Sequence, residues 1–194
     1  MKCIKYCLIG LMLLLSCSDD DTQSTPINQM TDSRDGQVYD IVTIGTQTWF
    51  AENLNFDTGD NDSICFFLDE TNCFIYGKLY EGTVAQTICP DGWHLPSIEE
   101  YQILIDYLGG LEVAHIFLAP FAEQQGEKVG FNLLAGGRFG GDWFDLGDKG
   151  YYYTSTVGDF PNSYKILTYD KGNEVTLTGS TSPGIDQSCR CIKD

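Results

Sequence analysis

Apolar and polar positions early in the chain predict a β-hairpin. The run from Val38 to Ile44 is rich in β-branched residues, Gly45-Thr46 interrupts it, and Gln47-Thr48-Trp49-Phe50 resumes it. Two short runs of strand-forming residues around a glycine-containing pair are typical of a hairpin. We therefore expect two paired strands at the start of the folded domain.

The clearest helix signal follows Ser97. Ser97 and Glu100 have the capping-box spacing, in which each side chain accepts a hydrogen bond from the backbone amide of the other residue. An apolar stripe at helical spacing follows, formed by Tyr101, Leu104, Ile105 and Leu108. Gly109-Gly110 ends this helix. A shorter helix is predicted over residues 83–88, and a further helical turn or two over 111–119.

The rest of the chain predicts strands separated by glycine or proline. They span residues 131–134, 150–155, 164–169, 175–178 and 187–192. Residues 57–73 predict a polar loop that Cys65 and Cys73 can close. An early hairpin, two helices and a run of antiparallel strands are typical of the α+β class.

The N-terminus has the pattern of a secretory signal. A basic start with Lys2 and Lys5 precedes an apolar stretch over residues 8–15, which is too short to span a bilayer. Leu14-Leu15-Ser16-Cys17 resembles the bacterial lipobox, and the resemblance implies that Cys17 is lipidated after cleavage. We therefore predict a signal peptide over residues 1–16, a lipidated tether over 17–34 and one domain over 35–194. An ordinary secreted chain is the alternative.

The segment after Cys17 is acidic and polar. Ser18-Asp19-Asp20-Asp21 resembles the surface-export signal of lipoproteins in the Bacteroidota, which implies an outer-membrane protein exposed at the cell surface. A tether facing the periplasm is the alternative. Residues 18–35 show no apolar periodicity and predict a flexible linker. The membrane, reached through the lipid anchor, is thus the first expected partner.

Charge and length restrict the remaining partners. Cleavage after residue 16 would leave 178 of 194 residues, enough for one core, and would remove Lys2 and Lys5, which changes the net charge from −17 to −19. Coulomb repulsion at that charge excludes nucleic acid bound through phosphate contacts. Neutral, cationic or cation-bridged partners are favoured.

The cysteines predict disulfides. Cys3 and Cys7 leave with the signal peptide and Cys17 carries lipid, so an odd number remains: Cys65, Cys73, Cys89, Cys189 and Cys191. Export to an oxidising compartment favours disulfides, and the spacings match no structural zinc pattern. Acidic residues in the 57–73 loop leave calcium as an alternative, with Asp57, Asp60 and Asp62 as its ligands. We predict no metal site and no cofactor.

Five motifs in order carry a family resemblance. They are Trp49-Phe50-Ala51-Glu52-Asn53-Leu54, Tyr76-Gly77-Lys78-Leu79-Tyr80, Cys89-Pro90-Asp91-Gly92-Trp93-His94-Leu95-Pro96-Ser97, Gly150-Tyr151-Tyr152-Tyr153-Thr154-Ser155-Thr156 and Arg190-Cys191-Ile192-Lys193-Asp194. Together they resemble the Fibrobacter succinogenes major paralogous domain from about Asp35 to the C-terminus. The chain departs from that pattern at Tyr153, Thr154 and Cys189. The family supplies no established activity to transfer.

The order of helices and cysteines also resembles the C-type lectin-like fold. That resemblance implies a disulfide between Cys89 and Cys191, and leaves Cys65 with Cys73 as the second pair. Cys189 is then free or competes for Cys89. The calcium-binding triplets of sugar-binding lectins are absent, and Phe160-Pro161-Asn162 lacks the required first carboxylate. Calcium-dependent sugar binding at that site is therefore not expected.

An enzymatic alternative comes from a second resemblance. Residues 92–101 are similar to a stretch of the formylglycine-generating oxidases, whose chemistry needs a reactive cysteine pair that binds copper. Cys189 and Cys191 would have to supply that pair as free thiols. His94 has no obvious carboxylate partner in the sequence, so we interpret it as a hydrogen-bonded core histidine. We predict no catalytic residues and no enzymatic activity.

The remaining candidate site is the glycine-rich and aromatic segment 136–145. Its candidate ligand-binding residues, with one from the following strand, are Arg138, Asp142, Trp143, Phe144, Asp145 and Tyr152. Aromatic and arginine side chains dominate binding hot spots, so we expect this segment to bind glycan or protein. An exposed Trp143 favours binding, and a buried one favours a plug for the loop's own core. A structural or adhesive surface subunit is the alternative function.

Overall fold

The computed structural model describes residues 28–120 and 129–194. Its helices are α1 (Glu70–Tyr76), α2 (Gly82–Ala85), α3 (Ile98–Tyr107) and α4 (Leu111–Leu118), and a 3₁₀ turn spans Phe66–Leu68. Its strands are β1 (Asn28–Thr31), β2 (Val38–Ile44), β3 (Gln47–Phe50), β4 (Ser63–Ile64), β5 (Leu79–Tyr80), β6 (Trp93–His94), β7 (Gly136–Phe139), β8 (Trp143–Leu146), β9 (Lys149–Val157), β10 (Tyr164–Asp170), β11 (Glu174–Thr181), β12 (Gln187–Ser188) and β13 (Ile192–Lys193).

The first sheet joins both ends of the described chain in the order β1-β2-β3-β13-β6. The predicted hairpin is confirmed, with Ile44 opposite Gln47. Strand β1 lies within the segment predicted as tether and pairs with β2. It lacks apolar periodicity because it is an edge strand whose side chains are largely exposed, Met30 being the one that packs on the core. The ordered domain therefore extends at least to Asn28.

The second sheet is mixed, in the order β11-β10-β9-β12-β5-β4, and β7 joins it beside β9. Three predicted strands are confirmed as β9, β10 and β11. Residues 131–134 form no strand; Phe131 and Leu133 are buried in irregular backbone. The predicted strand 187–192 is divided into β12 and β13, because residues 189–191 cross from one sheet to the other.

Helices α3 and α4 cover the second sheet. The capping box is present, since Ser97 Oγ accepts from Glu100 N at 3.2 Å and Glu100 Oε2 accepts from Ser97 N at 2.8 Å. The predicted stripe is buried against β10 and β11 in the larger apolar cluster. Helix α2 is shorter than predicted, and α1 was not predicted. It begins after Asp69, whose carboxylate accepts from Thr71 N at 2.9 Å.

Disulfides join Cys65 to Cys73 and Cys89 to Cys191, as the resemblance implied. Cys189 is a fully buried free thiol. The observed architecture is thus an α+β domain of two sheets and four described helices, closed by two disulfides.

Candidate recognition site

The predicted recognition segment folds as the β7–β8 hairpin. Phe139 lies opposite Trp143, and Arg138 lies opposite Phe144. Adjacent strand residues point to opposite faces of a sheet, so these two pairs lie on different faces. The hairpin joins β9 through Gly137, where a Cβ atom would come within 2.5 Å of Phe144 O.

Trp143 lies within a cluster of four aromatic rings. Its ring centroid is 4.5 Å from that of Phe139, 4.9 Å from that of Phe66 and 5.5 Å from that of Phe67. Trp143 is half-buried, so it both packs inside this cluster and contributes to its surface. We name Phe66, Phe67, Phe139 and Trp143 the aromatic cluster.

The opposite face of the hairpin carries a polar group of side chains. The Arg138 guanidinium lies 4.3 Å from the ring centroid of Tyr151 and 5.8 Å from that of Phe144. Tyr151 donates a 2.6 Å hydrogen bond to Asp145. Burial and this bond to a carboxylate raise the pKa of Tyr151 to about 12. No described carboxylate lies within ion-pair distance of Arg138, so its donors remain available to a ligand.

Two other predicted candidates have structural roles. Tyr152 is completely buried, and its hydroxyl donates to Leu134 O at 2.7 Å and accepts from Leu134 N at 2.8 Å. It cannot belong to a binding face, which corrects the prediction. Asp142 is exposed at the hairpin tip and accepts from Trp143 N at 2.8 Å.

Sequence reasoning missed the neighbouring segment 65–76, which we name the stapled loop. Exposed large apolar side chains concentrate there: Phe67 is 62% exposed, Leu68 73%, Phe74 88% and Ile75 50%. Disulfide Cys65–Cys73 closes most of the segment. The signal in the sequence was the apolar content around the two cysteines, in a loop predicted to be polar.

Phe67 and Leu68 also have unfavourable backbone conformations. Their φ angles are 57° and 55°, in the left-handed region, where a side chain other than glycine costs roughly 1–2 kcal/mol. The disulfide and the hydrogen bond from Leu68 N to Cys65 O hold this geometry. Strain that presents two apolar side chains to solvent is typical of functional surfaces.

The acidic residues considered for calcium stabilise their own loop. Asp57 accepts from Gly59 N at 2.8 Å and lies 3.3 Å from Lys78 Nζ. Asp60 accepts from Asp62 N at 3.0 Å. In the described chain, the group with metal-ligand spacing is Cys65, Glu70 and Cys73. Its two sulfurs form the disulfide and are not available as thiolate ligands.

The sequence predicted that His94 is a core histidine without a carboxylate partner. In the structure it is neither buried nor without such a partner. Its side chain is 41% exposed, and its ring nitrogens lie 2.7 Å from Asp194 Oδ1 and 2.9 Å from Glu100 Oε1. Partial burial alone would lower the pKa of His94, but the two carboxylates outweigh burial and raise it. Asp194 directly follows β13 and Glu100 lies in α3. Only the folded chain brings both carboxylates to the His94 ring.

The cysteine pair required by the oxidase alternative is not formed. Cys191 is bonded to Cys89, and Cys189 is completely buried. Burial raises the pKa of the Cys189 thiol far above its ordinary value. A buried protonated thiol lacks the nucleophilic thiolate that such chemistry needs.

Two predicted features lie outside the described residues: the signal peptide and the lipidation site Cys17. None of the helices in the described ranges is long and apolar enough to cross a membrane.

The fold and the site define a small disulfide-stapled α+β domain with an exposed apolar surface. A family model, described as the Fibrobacter succinogenes major domain, matches residues 42–193. The chain belongs to this family, as the motifs predicted. Comparison with curated proteins and with solved structures finds no match.

Proposed function

We propose that this protein is a surface-exposed outer-membrane lipoprotein whose C-type lectin-like domain recognises another protein without catalysis. The binding surface consists of residues 65–68 of the stapled loop and the adjoining β7–β8 hairpin. The lectin-like assignment is supported by the Cys89–Cys191 disulfide, which joins the segment after α2 to the residue before the last strand.

One observation carries the proposal. Phe67 and Leu68 are mostly exposed and strained, and the Phe67 ring lies 5.5 Å from that of the half-buried Trp143, in a chain of net charge −17. Exposed aromatic and aliphatic side chains held in one geometry contribute strongly when a protein partner buries them. Leu68 has no group for hydrogen bonding a sugar, so the surface favours protein over glycan. Asp142, exposed at the tip of the hairpin next to Trp143, would give specificity.

The decisive variant is Phe67→Asn with Leu68→Asn. Asparagine tolerates the left-handed region, so the substitutions remove apolar surface without altering the backbone. Val157→Asn is the matched control, because Val157 is 72% exposed and Leu68 73%. The partner is captured by cross-linking on intact cells that carry the full-length chain, identified, and then tested as a purified protein.

We expect the double variant to bind the purified partner roughly tenfold or more weakly, and Val157→Asn to bind as the wild type does. Equal binding by the double variant would contradict the proposed surface. Capture of further copies of this chain would favour the structural or adhesive alternative. Binding to a polysaccharide array, lost in the double variant, would replace protein by glycan as the ligand class.

The membrane anchor has a separate test. Cells are fed an alkyne fatty acid, and the label on the protein is read after electrophoresis. We expect labelling of the wild type and none of Cys17→Ala. Surface exposure is then measured by adding protease to intact cells; protection of the domain would favour the periplasmic alternative.

A further inference from the structure

A pocket lies against the C-terminal end of the stapled loop, and neither Phe67 nor Leu68 of the proposed protein-binding surface lines it. The pocket has a volume of about 230 Å³. This volume lies below the roughly 300–1,000 Å³ of pockets that hold drug-sized ligands, which limits the occupant to a small molecule. Its lining comes from residues 37–38, 52–55 and 73–77, with Leu134.

Three lining side chains have polar atoms without a partner among the described residues. Glu52 uses Oε1 to accept from Asp40 N at 2.9 Å, which leaves Oε2 unbonded. The side-chain amide of Gln37 makes no hydrogen bond with the described chain. The side-chain oxygen of Asn55 is buried without a hydrogen bond. The Asn55 oxygen is closed off from solvent, so the groups offered to a polar ligand are Glu52 Oε2 and the Gln37 side-chain amide.

The rim of the pocket is apolar and exposed. Phe74 is 88% exposed, Ile75 50% and Val38 48%. A flat aromatic ring beside hydrogen-bonding side chains is the combination that a sugar requires. In such a site the aromatic ring would pack on the C–H face of the sugar, and the Gln37 amide and the Glu52 carboxylate would bond its hydroxyl groups.

Backbone and side-chain hydrogen bonds join the two segments that frame the pocket. Asn53 donates to Tyr76 O at 2.8 Å, and Lys78 N donates to Leu54 O at 3.1 Å. Gly77 has a φ of 76°, and a Cβ atom there would come within 2.8 Å of Leu54 O. Two of the segments that carry the family resemblance therefore pack together here and hold the pocket open. A preformed site loses less entropy on binding.

We propose that this pocket binds the neutral, polyhydroxylated ring of a sugar. Glu52 and the acidic chain repel anions, so uronic and sialic acids are disfavoured. The inference goes beyond the protein-binding surface proposed above and does not depend on it. Either a free monosaccharide or the terminal sugar of a glycan would present such a ring to the pocket.

The test is a titration of the isotope-labelled mature protein followed by NMR. The probes are glucose, galactose, mannose, xylose and N-acetylglucosamine, with glucuronate as the anion and oligosaccharides ending in any sugar that binds. We expect amide shifts at residues 37, 52, 55 and 77 with at least one neutral sugar, and weaker binding of the matching uronate. Equal affinity for the free sugar and the oligosaccharide identifies a site for one ring; tighter binding of the oligosaccharide identifies a glycan end.

The variants separate this site from the protein-binding surface. Phe74→Ser should weaken sugar binding roughly tenfold, whereas Tyr107→Ser, which removes an exposed aromatic ring from α3, should leave it unchanged. Glu52→Gln should reduce the discrimination against uronate, and the net negative charge of the chain should preserve the rest. The variant with Phe67→Asn and Leu68→Asn should keep full sugar binding. Absent shifts, shifts located elsewhere, or full binding by Phe74→Ser would overturn the proposal.

Discussion

Arg190 donates a 2.6 Å hydrogen bond to the side-chain oxygen of Asn53 in the interior of the domain. The guanidinium is completely buried, and its other acceptors are the carbonyls of Phe50, Phe131 and Asn132 at 2.6–3.0 Å. Burial lowers the pKa of Arg190 below its ordinary value. A single side chain thus connects the first sheet with the irregular segment at residues 131–132.

Arg190→Leu should destabilise the domain by about 3–5 kcal/mol, because it leaves buried acceptors without a donor. Lys193→Leu removes the same charge from an exposed position and should change stability by less than about 0.5 kcal/mol. Denaturant unfolding with both disulfides intact gives the two values. A loss below about 1 kcal/mol for Arg190→Leu would show that the buried guanidinium is not a major stabilising contact.

His94 should make stability depend on pH. Because its pKa is raised in the folded state, its contribution is complete below the unfolded pKa of about 6.5 and is lost as pH rises through the folded value. The contribution is limited to about 1 kcal/mol, since all three side chains are partly exposed. His94→Gln should remove this pH dependence, and Asp194→Asn should lower the pKa of His94 measured by NMR. Unchanged pH dependence in His94→Gln would assign the effect to other groups.

The two disulfides should contribute unequally. Cys89 and Cys191 are 102 residues apart and Cys65 and Cys73 are 8 apart, so the chain-entropy model predicts about 4.7 and 2.5 kcal/mol. Paired substitutions to serine, compared by denaturant unfolding, measure both losses. Loss of Cys65–Cys73 should also release the strained geometry of Phe67 and weaken partner binding in a domain that remains folded. Retained partner affinity in that variant would argue against preorganisation by the disulfide.

Cys189 should resist modification in the folded protein. It is completely buried with a raised thiol pKa, and both properties suppress thiolate chemistry. Maleimide labelling followed by mass spectrometry of the C-terminal peptides should show an unmodified Cys189 in the native state and a labelled one after unfolding. A label on Cys191 instead would reveal that Cys89 pairs with Cys189.

The sequence predicted those elements whose causes are local. The capping box of Ser97 and Glu100 and the Gly45-Thr46 turn act over a few residues, so α3 and the first hairpin were recognised directly. Helix α1 was missed because polar residues at 57–62 dominated the composition of its loop. Strand β1 was assigned to the tether because an exposed edge strand does not need alternating apolar residues.

The candidate sites depended on the tertiary structure. Tyr152 and Trp143 are equally plausible ligand contacts in the sequence, yet one is completely buried and the other half-exposed. His94 contacts Asp194, and Glu52 and Phe74 line one pocket. In both cases the residues are distant in sequence. Local patterns in the sequence determine much of the secondary structure. The exposure of a side chain and its contact partners depend on how the two sheets and their helices pack. The free energy of that packing comes from contacts between residues far apart in sequence, so local patterns do not predict it.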